Sequence, residues 1–91
     1  MKIEFDLNKS RKNAAERDLP FDRVAEFDWR TALIYPDERF RYSELRYADL
    51  GFVGKRLHFI CYTPTPEGVR VISFRKANNR EVKHYDKTYH Q

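Results

Sequence analysis

Hydrophobic and polar residues alternate with the period of β-strands in the second half of the chain. Residues 45–53 and 56–63 are predicted to be antiparallel strands, because the Gly-Lys pair at 54–55 suits a two-residue type II′ turn. A wider, proline-containing turn at 64–68 leads into a third strand at 69–74, which is rich in β-branched residues. Three strands joined in this way predict an antiparallel meander.

The first half of the chain is predicted to contribute helices and two short strands. Residues 3–5 form an opening strand, and Asp6 can cap a helix over 7–17 because its carboxylate accepts hydrogen bonds from the first-turn amides. A second short helix is predicted to begin near Pro20. The β-prone stretch 31–35 then forms a strand that stops at the following proline.

Residues 77–89 are predicted to form a closing helix with two different faces. Val82, Tyr85 and Tyr89 fall within one narrow sector of a helical wheel and are expected to pack on the sheet. The opposite side gathers basic side chains, namely Arg80, Lys83, His84 and Lys87. The whole order of elements predicts an α+β fold in which an antiparallel sheet of four to five strands packs with two N-terminal helices and one C-terminal helix.

The composition limits what such a fold can be. A chain of 91 residues with 41% hydrophobic residues can form one core but not two, so residues 1–91 are expected to be a single domain. The lone Cys61 excludes an internal disulfide and is expected to be a core residue, and the three histidines have no metal-ligand spacing. Neither a metal nor a cofactor is expected. The lack of a long apolar run and of a signal-peptide pattern favours a soluble cytoplasmic protein.

The positive charge is concentrated at the C-terminal end. Residues 70–91 contain six basic and two acidic residues, which equals the net charge of +4 of the whole chain. A polyanion such as RNA would bind there, although a basic terminal helix can equally serve solubility alone. Phe74 or Tyr42 could stack on unpaired bases, although an aromatic residue in a small domain is a core residue by default. The candidate RNA-binding residues are Lys76, Lys83, His84 and Lys87.

The strand at 70–77 contains the residues best suited to phosphate chemistry. It would present Arg70, Ser73 and Arg75 at its surface. A guanidinium can hold a phosphate through two hydrogen bonds and stabilise the charge that develops on it. The 2′-hydroxyl of RNA can attack the adjacent phosphate, so a base, an acid and a cation suffice without a metal. Each side chain also has a structural interpretation, since strand arginines are often ion-paired and serines often bond nearby backbone.

The same segment shows a family resemblance. It contains Arg70, Ile72, Ser73, Arg75 and Ala77, an R-x-I-S-x-R-x-A pattern, followed by Arg80, Glu81 and Tyr85. An N-terminal series agrees in order, with Phe5, Asp6, Asn8, Lys9, Asn13 and Phe21, then Asp37-Glu38-Arg39 and Gly51. Over nearly its whole length the chain resembles the BrnT family, the toxin half of BrnT/BrnA-type bacterial toxin-antitoxin pairs. Members of that family are similar to RelE-like ribonuclease toxins in fold.

The resemblance implies a metal-independent endoribonuclease that cleaves RNA to arrest growth. It also implies neutralisation by a BrnA-like ribbon-helix-helix antitoxin, whose dimer would join two toxins in a 2:2 complex and bind operator DNA. On this basis Arg70 and Arg75 are expected to hold the phosphate, and Ser73 to orient it. Lys9 and Arg80 would make secondary contributions to catalysis.

The chain departs from the family pattern where a histidine is common. Glu16-Arg17-Asp18 replaces a frequent Lys-His-Gly, and Arg17 cannot act as a base because a guanidinium does not lose its proton near neutral pH. Among the residues that match the family pattern, Lys9 is the nearest one that could act as the base instead. This departure leaves a second hypothesis open, in which the protein is a non-catalytic module that binds nucleic acid or an antitoxin.

Overall fold

The computed structural model describes residues 1–90, which form a five-stranded sheet and two α-helices. The strands are β1 (Lys2–Glu4), β2 (Leu33–Pro36), β3 (Tyr47–Val53), β4 (Arg56–Thr65) and β5 (Gly68–Lys76), and the helices are α1 (Leu7–Arg17) and α2 (Asn79–Tyr89). Two 3-10 helices, Phe21–Glu26 and Trp29–Thr31, lie between α1 and β2. The predicted α+β class is confirmed. Neither α-helix has the length and apolar character needed to cross a membrane.

The sheet is mixed, with the strand order β1-β5-β4-β3-β2. β2 to β5 are antiparallel neighbours, but β1 pairs parallel with β5, with Lys2 opposite Gly68 and Glu4 opposite Arg70. The prediction of a purely antiparallel sheet is therefore wrong, because helices rather than a hairpin connect β1 to the other strands. β1 covers only the start of β5, so within the described chain the edge of β5 that faces away from β4 is uncovered from Val71 onward.

Two local predictions in the second half of the chain are confirmed. Gly54 has a φ of 60° whereas Lys55 does not lie in the positive-φ region, the combination expected of a type II′ turn. α2 begins at Asn79, two residues later than predicted, because Asn78 and Glu81 form a capping box around its first turn. The hairpin turn sets the pairing of β3 with β4, and the capping box sets the residue at which α2 begins.

The predicted second N-terminal helix is wrong, since Phe21–Glu26 is a 3-10 helix rather than an α-helix. The segment has only six residues before Phe27, which forms an isolated bridge with Val53 in β3. So short a segment cannot repay the cost of nucleating an α-helix.

Two strands begin later than predicted. Thr31 lies in the second 3-10 helix, whose first turn is capped by Asp28 through a bond from the Arg30 N–H at 3.0 Å, so β2 begins at Leu33. β3 begins at Tyr47 rather than at residue 45.

The main core lies between the sheet and the N-terminal elements. Phe74 and Ile60 are almost fully buried there, together with Val24 from the 3-10 helix. Phe74 is 1% exposed, so its predicted stacking on bases is wrong. Cys61 is buried, as predicted for a core residue.

α2 packs on the opposite face of the sheet, and its predicted faces are largely confirmed. Tyr85 is buried and Val82 is half-buried against a second cluster that includes Leu50 and Leu57. Tyr89 stacks on Tyr85 but remains 44% exposed. The basic side chains Arg80, Lys83, His84 and Lys87 are exposed, as predicted.

α1 begins and ends with an aspartate. Asp6 caps its first turn as predicted, accepting from the N–H groups of Asn8 at 2.8 Å and Lys9 at 3.1 Å. Asp18 ends the helix in the left-handed conformation, with a φ of 55° and its N–H bonded to the carbonyl of Ala14. This conformation favours glycine, because a Cβ there clashes with the backbone.

Asp18→Gly is therefore expected to raise the free energy of unfolding by about 1 kcal/mol. The change also removes a negative charge from the C-terminal end of α1, where the helix dipole disfavours it. Thermal denaturation should show a Tm increase of roughly 4–8 °C per kcal/mol. The matched variant Asp86→Gly, inside the last turn of α2, should give no such gain, because glycine is a poorer helix former than aspartate by a few tenths of a kcal/mol, roughly 0.3. A lower Tm for Asp18→Gly would contradict the argument.

Candidate functional site

The two arginines predicted to hold a phosphate lie in separate ion pairs. Nη2 of Arg70 is 3.4 Å from Oε1 of Glu44. Arg75 donates from Nη1 and Nη2 to the two carboxylate oxygens of Glu81, at 2.8 Å and 3.1 Å. Five residues of extended strand separate the two arginines, roughly 16 Å at 3.3 Å per residue. Arg70 and Arg75 therefore do not meet at a single phosphate in this conformation.

Arg75 is held rigidly but is not saturated. Its guanidinium carbon lies 4.2 Å from the centroid of the Phe59 ring, and Nη1 also donates to the Lys76 carbonyl at 3.2 Å. The hydrogen bonds from Arg75 are the main reason why the pKa of Glu81 is below its usual value. Nε–H and the second hydrogen of Nη2 have no acceptor among residues 1–90. These two donors point to the same side of the guanidinium and can bind another oxyanion.

A cleft of about 340 Å³ lies beside this ion pair. We call it the Arg75 cleft after the guanidinium that adjoins it through Glu81 and Phe59, although Arg75 itself is not among the lining residues. It is lined by Tyr35, Pro36, Asp37, Glu38, Arg39, Ala48, Leu50, Phe59, Glu81 and His84. Tyr35 in β2 and His84 in α2 form a hydrogen bond, with Tyr35 Oη 2.9 Å from His84 Nε2. A carboxylate, an imidazole and a phenol thus line one cleft, and the Arg75 guanidinium adjoins it through its bonds to Glu81.

Asp37, for which the sequence suggests no role, lies in the wall of this cleft. Asp37 is 7% exposed and accepts from Nε and Nη2 of Arg39, both at 2.8 Å, and from Tyr42 Oη at 3.2 Å. The bonds from Arg39 hold the pKa of Asp37 well below its usual range. The Cys61 thiol donates to the same carboxylate at 3.7 Å. The spacing of Asp37 and Arg39 gave no signal of this burial, which depends on packing against β4.

Two other predicted residues, Lys9 and Ser73, meet in a different cleft of about 210 Å³. This basic cleft lies between α1 and the uncovered edge of β5, and it is lined by Lys9, Lys12, Asn13, Glu16, Arg17, Phe21, Ile72 and Ser73. Asn13 joins its two walls, donating to the carbonyls of Leu19 at 2.7 Å and Phe74 at 2.8 Å. Three basic side chains face one acidic side chain here.

The remaining predicted site residues line neither cleft. Arg80, Lys83 and Lys87 are exposed on α2, and Lys76 is exposed at the end of β5. Among the candidates on the basic side of α2, His84 alone lines the Arg75 cleft. The predicted site is therefore divided among two clefts and an exposed helix face.

Comparisons with known proteins give one match. The model of the ribonuclease toxin BrnT of type II toxin-antitoxin systems matches residues 5–81, a range that includes Arg75, Glu81 and the whole basic cleft but ends before His84. No curated protein and no solved structure matches the chain. Because the match spans most of the chain, the protein belongs to the BrnT family of ribonuclease toxins, in which each toxin has an antitoxin partner.

Proposed function

We propose that this toxin is a metal-independent endoribonuclease that cleaves RNA in the Arg75 cleft. One observation supports this above all others: Arg75 uses one pair of donors to bind Glu81 and keeps a second pair open. A guanidinium already fixed in position stabilises the charge of a pentavalent phosphate without having to reorganise.

The neighbouring side chains can supply the proton transfers. His84 would take the proton of the 2′-hydroxyl as its oxygen attacks the adjacent phosphorus. Tyr35 would give its proton to the leaving 5′-oxygen and regain one from His84 through the hydrogen bond between them. The products are a 2′,3′-cyclic phosphate and a free 5′-hydroxyl. Glu81 orients Arg75 throughout and transfers no proton.

We include the RelE-like fold in the same proposal. It is supported by the arrangement of the sheet, with the N-terminal helical elements on one face and α2 on the other. The antiparallel strands β2 to β5 present Arg75 on the face that α2 covers only in part.

The test is cleavage of a long messenger RNA in excess EDTA, followed by analysis of the new ends. We expect cleavage to continue and to leave 2′,3′-cyclic phosphates and 5′-hydroxyls. An oligonucleotide with a single 2′-deoxy nucleotide at a mapped site should resist cutting at that position alone. Cleavage that needs added Mg²⁺, or that occurs at the 2′-deoxy position, would contradict the proposed chemistry.

The ion pairs favour a second candidate function, a module that binds RNA without cutting it. Both Arg70 and Arg75 are neutralised by carboxylates, and Arg17 stands where the family commonly has a histidine. Such a module would bind RNA with an affinity that falls as salt rises, because phosphate contacts release counterions whether or not bonds break. Intact RNA beside a strong, salt-sensitive mobility shift would favour this function over the first.

We further propose that the antitoxin is a BrnA-like ribbon-helix-helix protein that forms a 2:2 complex and covers the Arg75 cleft. Four exposed apolar side chains on β2 and the loop after it support a protein contact beside this cleft: Ile34, Tyr35, Phe40 and Leu45. An antitoxin segment seated there would block access to Arg75. A toxin-antitoxin complex that leaves Arg75 open to solvent would contradict this mode of inhibition.

A further inference from the structure

We propose that the basic cleft is a second phosphate-binding site, which holds the backbone of the same single-stranded RNA next to the scissile position. The identity of the anion rests on the proposed function. The choice of residues for this second site does not rest on the proposed function, because the basic cleft and the Arg75 cleft share no lining residue.

Two of the three cations of the basic cleft have no carboxylate partner within the described chain. Lys9 and Arg17 have no carboxylate within ion-pair distance among residues 1–90. Lys12 lies 3.9 Å from Glu16, and both side chains are mostly exposed, so this pair contributes little. In the Arg75 cleft, by contrast, Arg75 and Arg39 are each bound to a carboxylate. The basic cleft therefore presents cations that no carboxylate of the described chain neutralises.

The framework of the basic cleft is rigid although its cations are free. Lys9, Asn13 and Arg17 follow one another at four-residue intervals, which places them on one face of α1. Asn13 binds that face to β5, and the buried Ser10 hydroxyl accepts from the Phe21 N–H at 2.8 Å. Lys9 and Arg17 thus line the cleft from a wall that is fixed to β5, with Ser73 also among the lining residues.

The uncovered edge of β5 carries both Ser73, which lines the basic cleft, and Arg75, which binds Glu81 in the wall of the other cleft. Ser73 and Arg75 are two residues apart, roughly 7 Å along a strand. An RNA strand that crosses this edge would therefore contact both the basic cleft and the Arg75 guanidinium within a short length of backbone. A duplex is too wide and stiff to fold over a single strand edge, and sequence-selective RNA contacts are mostly made to unpaired segments.

The experiment measures binding rather than cleavage. The double variant Lys9→Gln with Arg17→Gln is compared with Lys55→Gln with Arg30→Gln, which removes the same charge from exposed positions that line neither cleft. The probe is a fully 2′-O-methylated single-stranded RNA, which cannot be cut through its 2′-oxygen. Its affinity is measured over a range of salt concentrations, and thermal denaturation confirms that both variants are folded.

We expect the Lys9/Arg17 variant to bind about tenfold more weakly at moderate salt, with a salt slope reduced by about 1.4, since each lost phosphate contact on a single strand contributes about 0.7. The Lys55/Arg30 variant should stay within about twofold of the parent. Equal weakening in the two variants, an unchanged slope, or the same loss with an RNA duplex would each overturn the proposal. A protein that binds this probe through Lys9 and Arg17 but never cuts RNA would refute the proposed function and leave the second site intact.

Discussion

Replacing Arg75 with lysine is expected to lower the rate of RNA cleavage by at least about a hundredfold. Lysine keeps the positive charge but cannot bind Glu81 with one pair of donors and a phosphate with another. Losing one fixed donor to a developing oxyanion typically costs about 10²–10³ in kcat. Single-turnover cleavage at saturating protein measures the effect directly, and RNA affinity should change much less because the charge remains.

The matched control is Arg30→Lys, the same chemical change at a side chain that is 91% exposed. It should cleave RNA at a rate close to that of the parent. Glu81→Gln provides a second comparison, because glutamine can still accept the Asn78 N–H that caps α2 but no longer binds Arg75 as an ion pair. We expect an intermediate loss of cleavage for this variant. An Arg75→Lys protein with full activity and an unchanged Tm would show that Arg75 does not contact the reacting phosphate.

The parts of the fold that were predicted correctly depend on residues close together in sequence. Asp6 caps α1 through bonds to amides two and three residues away, and Gly54 determines its hairpin within a four-residue turn. The direction of β1 depends instead on the pairing of Ile3 with Val69, from opposite ends of the chain. A three-residue strand has no internal signal of which neighbour it will join, so the parallel pair could not be predicted.

The structure groups the candidate site residues differently from the grouping that the sequence suggested. Summing charge along the sequence treated Arg75 as an available cation, whereas Glu81 binds it across the junction of β5 and α2. The same sum gave no special weight to α1, yet Lys9 and Arg17 form an unpaired basic wall once Asn13 brings that helix against β5. Three-dimensional packing, rather than net charge per segment, decides where an anion can bind.

Asp49→Asn is expected to stabilise the protein at neutral pH and to remove a fall in stability as the pH rises. Asp49 is fully buried in β3, where it accepts from Tyr62 Oη at 2.7 Å and from the Tyr35 N–H at 3.2 Å. Burial raises the pKa of this carboxyl to about 6. Between about pH 4 and 6 the folded protein therefore binds more protons than the unfolded chain, so stability decreases with pH, by ~3 kcal/mol over this window.

The amide introduced by Asp49→Asn would remain neutral at every pH, so the two proteins should have similar stability near pH 4, and the variant should be more stable by up to ~3 kcal/mol at pH 7–8. Urea denaturation across this range measures the difference. Asp37 has the opposite effect, since its lowered pKa adds stability that is lost in acid, but it is common to both proteins and cancels. Tyr62→Phe removes the hydrogen bond that lowers the pKa of Asp49, so it should extend the fall in stability to higher pH. If the difference in the free energy of unfolding between Asp49→Asn and the parent stays constant from pH 4 to 8, the Asp49 carboxylate is solvated. The β2 edge beside the Arg75 cleft would then be solvated as well.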